Sequence, residues 1–325
     1  MSTQKVSVVD ESRRPSFTIV MLAWPVFIEQ ILVSLVSYVD TAMVGSMGAN
    51  ATAAVSISNS PNMLVNGTIM AIGVGFTAMI SRSIGAEDLQ RAKDLMRQAL
   101  LVVVALGLPL MCLLLLLAEK IPLWMGAQAE ILPDAAVYNR IIAASLIFRT
   151  MSMIITSIMR GYGDTKTPMF VNIGVNIVNV IGNFLLIYPT RTMSLFGMEF
   201  TMIGAGWGVA GAAAATSGSA TIGALIMLAV LFLKKGPMQL SIKGQYMPDW
   251  AILKTVFRIS LPAAFERIAM SSAGIITTST VAILGTVAVA ANSLYLTAES
   301  MCFMPGFAFS TAATTLVGQS LGAKR

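Results

Sequence analysis

Acidic residues inside apolar stretches are the side chains of this sequence most suited to chemistry. The stretch from Phe17 to Gly45 is apolar and long enough to cross a bilayer, yet it contains Glu29 and Asp40. An acid within a spanning helix costs about 2.5 to 3.5 kcal/mol on insertion scales, so it normally faces a protein or water-filled interior. The two acids are eleven residues apart, close to three helical turns, and therefore share one face. This segment is predicted to be the functional helix.

Two further acids, Glu266 and Glu299, lie within later apolar stretches. Glu29 and Glu266 each follow a proline by one turn, and the first of these prolines is Pro25. A proline removes a backbone hydrogen bond and bends a helix, so Pro25 is a predicted hinge. Each acid could instead be paired or reach an interface. The equivalent settings of Glu29 and Glu266 favour a role for them as cavity acids.

A stripe of asparagines marks the apolar stretch at 167–188. Spacings of four, seven and eleven residues place all its members on one helical face. The stripe consists of Asn172, Asn176, Asn179 and Asn183. It has two interpretations: hydrogen bonding between helices, or a route for a hard cation such as Na⁺, which takes oxygen ligands, beside Asp40. Thr216, in a stretch of small residues, is a candidate hydroxyl ligand.

Composition identifies an integral membrane protein. Hydrophobic residues make up 56% of the chain, charged residues 11%, and the mean hydropathy is +0.79. The net charge of +6 is not clustered with aromatic residues, which argues against nucleic acid as a partner. The chain has no histidine and no cysteine paired with a base, so no catalytic constellation is found and an enzyme is not expected.

Eight membrane-spanning helices are predicted. They lie at 17–45, 52–80, 96–118, 137–159, 167–188, 206–233, 253–283 and 288–316. With the N-terminus inside the cell, sixteen lysines and arginines fall in cytoplasmic segments and three in outer ones, which predicts a cytoplasmic N-terminus. Arg149 and Arg267 lie at membrane depth and are predicted to pair with acids on other helices, a structural role.

An internal repeat divides the chain into unequal parts. Pro262, Glu266 and Gly285 follow Pro25, Glu29 and Gly48 by 237 residues, and further matches continue without a gap to the C-terminus. The predicted organisation is a cytoplasmic tail at 1–16, a six-helix lobe at 17–236, a cytoplasmic linker at 237–252 and two helices of a second lobe at 253–325. The second copy stops early, so we expect a C-terminally truncated form of a twelve-helix parent with parallel repeats.

Four runs of residues resemble the multidrug and toxic compound extrusion (MATE) family. They are VDTAMVG at Val39 to Gly45 with the preceding Pro25 and Glu29, RGYGDTKTPM at Arg160 to Met169, GVAGAAAAT at Gly208 to Thr216, and MPGFAFSTAATTLVGQSLGA at Met304 to Ala323. The resemblance covers essentially the whole chain. It implies an all-α integral membrane protein, a helical bundle of two six-helix lobes in the parent and about eight transmembrane helices here.

The resemblance also implies site residues. The aspartate of the VDT run, Asp40, binds or relays the coupling cation, and its first-lobe partners are Asn179, Asn183 and Thr216. This set would form the Na⁺ site if the coupling ion is sodium. Many members of the family have an aspartate at the position of Asn183. The acid often found in the family's seventh helix lies two turns beyond the proline, where this sequence has Met270. Glu266, one turn after Pro262, is the candidate to replace it from the same side of the helix, with Glu29 and Glu299 as further cavity acids.

The leading functional hypothesis is a secondary antiporter in the cytoplasmic membrane. It would export cationic and amphipathic drugs or toxins in exchange for H⁺ or Na⁺, with no other cofactor. Its expected partners are those small molecules and membrane lipids, and the complete protein is expected to be monomeric. The alternative is a flippase for a lipid-linked precursor, as in related two-lobed families. That activity would require a basic central cavity.

Overall fold

The computed structural model describes residues 14–195, 198–236, 239–241, 246–283 and 286–324. These residues form long helices and one hairpin. In chain order the elements are α1 (Pro15–Gly45), α2 (Ala49–Gly85), α3 (Leu89–Leu117), α4 (Lys120–Trp124), α5 (Leu132–Ala144), α6 (Leu146–Tyr162), α7 (Lys166–Ile187), β1 (Pro189–Leu195), β2 (Met198–Ala205), α8 (Gly208–Leu233), α9 (Trp250–Ala282) and α10 (Thr286–Gly322).

The predicted helical membrane bundle is confirmed, and the number of spans agrees approximately with the prediction. Within the described ranges, six helices are long and apolar enough to cross a membrane, and α5 with α6 make a seventh if this bent pair is one span. The predicted span at 253–283 corresponds to α9, whose 33 residues are long enough. Lys254, Arg258, Glu266 and Arg267 make α9 less apolar than the other long helices.

The span predicted at 137–159 is broken. Helices α5 and α6 meet at Ser145 with a bend of 48°. The Ser145 hydroxyl lies 2.9 Å from the carbonyl oxygen of Ile142 and 3.1 Å from Ser217 Oγ, and its one hydrogen can be donated to either oxygen. These bonds satisfy polar groups at the break, which otherwise would be costly in a lipid-spanning segment.

The connection between α7 and α8 contains an antiparallel hairpin that was not predicted. Strand β1 pairs with β2 from Pro189 opposite Ala205 to Leu195 opposite Met198. Thr190, Thr192 and Ser194 alternate with larger side chains, and this period of two was the available signal. The hairpin places the start of α8 beside the end of α7, because Gly206 N and Trp207 N donate to the carbonyls of Tyr188 and Leu186.

Small residues bring α7 and α8 into close contact, as the run from Gly208 to Thr216 predicts. A Cβ added at Gly211 would overlap the backbone of Leu186, and one at Gly223 would overlap the side chain of Val175. Only glycine permits this separation at these two positions. The contact sets the distance between the polar side chains of α7 and Thr216.

The two copies of the repeat meet where α2 and α10 end. A Cβ added at any of three glycines on these helices would overlap the other helix, so the two helices are in close contact. The touching pairs are Ser81 with Gly318, Gly85 with Gln319, and Gly322 with Arg82. In the numbering of the repeat, the first pair joins equivalent positions and the other two are reciprocal. Reciprocal contacts of this kind are those of a two-fold axis, here passing between Ser81 and Gly318.

Candidate functional site

Asp40 lies near the end of α1, beside α7. Asn183 Nδ2 donates to Asp40 Oδ1 at 2.5 Å. The side chain of Asn183 is 1% exposed, so this bond lies inside the bundle. Because residues four apart in a helix are neighbours, Asn183 also reaches the side chain of Asn179. Asn183 Nδ2 also lies 3.3 Å from Oδ1 of Asn179, one turn earlier.

Helix α8 completes the hydrogen-bonded set. Asn179 Nδ2 donates to Thr216 Oγ1 at 3.3 Å. The structure therefore brings together all four residues that the resemblance implied for the coupling cation: Asp40, Asn179, Asn183 and Thr216. They come from α1, α7 and α8, and the close packing of the last two helices determines how they meet.

A cavity of about 210 Å³ opens beside this set, and Asp40, Asn183 and Thr216 form part of its wall. Most of the remaining lining residues are polar. The polar ones, which the sequence analysis did not single out, are Ser37, Thr41, Thr52, Ser56, Asn59 and Tyr138. Three of them follow one face of α2 at spacings of four and three residues, and this helical stripe was the signal that could have found them.

The charge of Asp40 has no cationic partner among the described residues. Its hydrogen-bond partner there is the neutral amide of Asn183. Asn183 Oδ1 is buried and accepts no hydrogen bond from the described part of the chain. A buried acceptor without a donor is costly unless a ligand or water satisfies it. The site thus presents a carboxylate and an unsatisfied oxygen to the same region.

The donor set fits an alkali cation rather than a transition metal. The oxygens of Asp40, Asn179, Asn183 and Thr216 are hard ligands. No group of three or more histidine, cysteine, aspartate or glutamate side chains suited to a metal occurs in the described ranges. A single carboxylate can also take up a proton without any further ligand. The geometry is therefore compatible with Na⁺ or H⁺.

Glu29 lies in a different setting from that predicted for a cavity acid. Its side chain is 6% exposed, and its Oε2 accepts a hydrogen bond from Arg160 Nη2 at 2.9 Å. Asn172 Nδ2 donates to Oε1 at 2.6 Å. Glu29 therefore ties α1 to the end of α6 and the start of α7. Its charge is compensated by a cation within the protein.

The asparagine stripe of α7 serves both acids of α1. Asn172 bonds Glu29, while Asn179 and Asn183 belong to the Asp40 set. Asn176 lies between them, and its buried Nδ2 has no hydrogen-bond partner among the described residues. One end of the stripe thus joins helices by a hydrogen bond to Glu29, as the first interpretation predicts, and the other end lies beside the Asp40 cavity. The cation route stays a prediction.

The two remaining predicted acids lie away from the Asp40 cavity. Glu266 is exposed on α9 and makes no ion pair with a described residue. Glu299, on α10, accepts a hydrogen bond from Tyr295 at 3.2 Å. Neither lines the cavity beside Asp40. The structure therefore does not bring the four predicted acids together.

Pro25, the predicted hinge, is buried within α1, and the helix continues through it. Around it, α1 packs against α10. This contact buries Leu22, Ala23 and Val26 against Ala308 and Ala312. The proline thus lies where α1 touches the second copy of the repeat.

Comparison with known sequences gives the family. The sequence model of the MatE family matches residues 25–185 and 262–325. The two matches start at Pro25 and Pro262, the residues that the internal repeat pairs. A probable multidrug resistance protein NorM of Thermotoga maritima is 30% identical over 304 residues, which are 94% of this chain and 63% of the relative. An uncharacterized transporter, YisQ of Bacillus subtilis, is 28% identical over 310 residues, which are 95% of this chain and 66% of the relative.

Comparison with solved structures agrees with the result of the sequence comparison. A MOP superfamily transporter from Pyrococcus furiosus matches with a TM-score of 0.86 and 25% identity, over 100% of this chain and 68% of that one. The chain thus spans about two thirds of the length of the relatives it matches. These relatives carry the names of transporters and of a multidrug resistance protein, in agreement with the prediction that the protein is not an enzyme. The chain is a multi-pass membrane protein and belongs to the MatE family.

Proposed function

We propose that the protein is a secondary antiporter that exports cationic and amphipathic compounds in exchange for H⁺ or Na⁺. Export of drugs is suggested by the name of its relative in Thermotoga maritima, a probable multidrug resistance protein. Its substrates would be small molecules, with lipids as surroundings and the complete protein acting as a monomer. The coupling ion is the only cofactor that this function requires.

The observation that carries the proposal is the setting of Asp40. A carboxylate in a spanning helix bonds a neutral amide and lies beside a cavity, next to the unsatisfied Asn183 Oδ1. Binding of a proton or Na⁺ would neutralise Asp40 and satisfy that oxygen or reorganise its amide. The set spans α1, α7 and α8, so a bound ion changes how these helices hold together. An ion can shift a conformational equilibrium only through such differential contacts.

Helix α1 couples the site to the second copy of the repeat. Its Pro25 region packs against α10, while Asp40 lies about four turns further along. We propose that α1 bends at Pro25 when the ion binds, and that the two copies rock about their common axis. The distribution of lysine and arginine supports an N-terminus in the cytoplasm of the cell.

The test is an efflux measurement in a drug-sensitive bacterium that lacks its own efflux pumps. Ethidium efflux is followed with and without Na⁺, and with a proton uncoupler, for the native protein, Asp40→Asn and Glu119→Gln. Glu119 is an exposed acid paired with Arg140 and serves as the control. We expect Asp40→Asn to reduce efflux to that of cells without the protein and Glu119→Gln to retain it. Full efflux from Asp40→Asn would refute the assignment.

A flippase for a lipid-linked precursor is the second candidate. Arg267 lines a cavity between the two copies of the repeat, and a cation there would suit a diphosphate. The solved structure from Pyrococcus furiosus is described as having a binding pocket of reverse polarity that suggests a different function. An inserted protein that exports no cation in the efflux measurement would favour this second function.

A further inference from the structure

A second cavity, of about 230 Å³, lies between the two copies of the repeat. Helices α2 and α6 form one side and α9 forms the other. Its wall is mostly apolar, with a few polar groups, as in sites for small molecules. The lining residues used below are Met63, Met70, Met153, Asn66, Gly67 and Arg267.

The charge of this cavity is positive. Arg267 is on its wall, and no aspartate or glutamate is among the lining residues that the structure describes. The guanidinium of Arg267 lies 5.1 Å from the centre of the Phe307 ring, which holds it without neutralising it. The sequence predicted an acidic partner for Arg267, but the described residues supply none. A cation at this depth is costly when it is not compensated.

A second guanidinium group, that of Arg149, lies behind the wall of this cavity. Arg149 Nη2 donates to Asn66 Oδ1 at 3.2 Å, so Asn66 connects the buried guanidinium to the cavity. The predicted acidic partner of Arg149 is also absent from the described residues. Two guanidinium groups thus bias the electrostatic potential of the cavity toward anions.

The side chains fit an anion that carries an apolar body. A guanidinium presents parallel N–H donors that match the two oxygens of a carboxylate. Methionine side chains are flexible and polarizable, so Met63, Met70 and Met153 can pack around apolar groups of different shape. We propose that this cavity binds an amphipathic molecule with one carboxylate or sulfonate, which lies on Arg267 while its apolar part lies among the methionines. The inference rests on the proposed function only in regarding that molecule as cargo, since the binding does not involve Asp40.

The test is a fluorescence titration of dansylglycine into the protein in phosphatidylcholine nanodiscs, with empty nanodiscs subtracted. Dansylamide, which lacks the carboxylate, is the matched probe. A charge-assisted hydrogen bond lost from the complex weakens binding by about tenfold or more. We expect that loss for dansylglycine in Arg267→Gln, no loss in Arg258→Gln on the same helix, and little response of dansylamide to either. Equal affinity of the native protein for both probes, or native affinity in Arg267→Gln, would overturn the proposal.

A second variant tests the proposal even if Arg267→Gln does not fold. It fills the cavity and leaves the charge of Arg267 in place. A Cβ at Gly67 meets no atom within 4 Å, so Gly67→Leu projects into open space; Gly174 in α7 has the same freedom and lies outside the cavity. We expect Gly67→Leu to abolish binding of dansylglycine and Gly174→Leu to preserve it. Equal binding by both variants would contradict the location of the site.

Two further measurements complete the test. One distinguishes a lipid from a free molecule as the bound anion, and the other distinguishes this proposal from the proposed ion coupling. Phosphatidylglycerol in the nanodisc that competes with dansylglycine would identify an anionic lipid as a natural occupant of the same site. Asp40→Asn should keep the preference of the native protein for dansylglycine over dansylamide, because that preference depends on Arg267 and not on Asp40. Because binding is measured without transport, a failure of ion coupling leaves this result unchanged, and a failure here leaves ion coupling unchanged.

Discussion

Glu29 and Asp40 occupy one face of α1, yet the rest of the bundle surrounds them differently. Glu29 is buried and holds Arg160 and Asn172. Asp40 holds only the amide of Asn183 among the described residues and lies beside a cavity. A compensated charge has no need of an ion from solution, whereas a carboxylate bonded to a neutral amide can still take one. The comparison supports a structural role for Glu29 and agrees with the proposed coupling role of Asp40.

The largest effect on stability is expected when Glu29 loses its cation. Arg160→Met leaves the carboxylate buried and unpaired, which costs about 3 to 5 kcal/mol in the free energy of unfolding. Unfolding by dodecyl sulfate in mixed micelles would measure it. The double variant Glu29→Leu with Arg160→Met should regain most of the loss, because an apolar pair replaces a buried ion pair at little cost. Unchanged stability in Arg160→Met would remove the structural role.

A smaller effect is expected from the amide that supports Glu29. Asn172→Leu removes a hydrogen bond to a charged group, worth about 1.5 to 3 kcal/mol. Asn176→Leu on the same helix is the control, because its Nδ2 bonds no described residue. The same unfolding measurement applies to both variants. Equal losses in the two would show that Asn172 acts only through packing.

The smallest effect is expected from an ion pair outside the membrane. Burial raises the pKa of Asp164, but hydrogen bonds from Lys234 Nζ at 2.7 Å and from Thr167 outweigh it, so the pKa lies below its usual value of 3.8. Since Lys234 is 55% exposed, Lys234→Met should cost about 1 kcal/mol or less at pH 7.

The pH dependence of this pair has a definite sign. Its contribution is complete above the unfolded pKa and is lost as the pH falls through the lowered folded pKa. The difference in unfolding between the native protein and Lys234→Met should therefore shrink below about pH 4. A difference that grows as the pH falls would contradict the assignment.

Much of the candidate site follows from the sequence because its spacing is local. Asn179 and Asn183 are one turn apart, and the resemblance supplied Asp40 and Thr216 as their partners. The internal repeat was also readable, because paired residues recur at one offset. The reciprocal contacts of Gly85 with Gln319 and of Gly322 with Arg82 show that a two-fold axis relates the two copies.

The partner of Glu29 was not predictable in this way. Arg160 is 131 residues from Glu29 and was placed in a connecting segment by its charge. Local patterns do not encode which distant helices touch. The break at Ser145 similarly depends on Ser217, in another helix. Tyr138 likewise lines the Asp40 cavity from α5, which packs on α8 and α2.

The most direct test of the account compares the carboxyl groups of the two acids. Infrared difference spectra of the protein in nanodiscs would record carboxyl bands on a change of pH and on addition of Na⁺. We predict that the ion-dependent band disappears in Asp40→Asn and persists in the double variant Glu29→Leu with Arg160→Met. A band that persists in Asp40→Asn and disappears in the double variant would contradict the account, because Glu29 would then be the coupling acid.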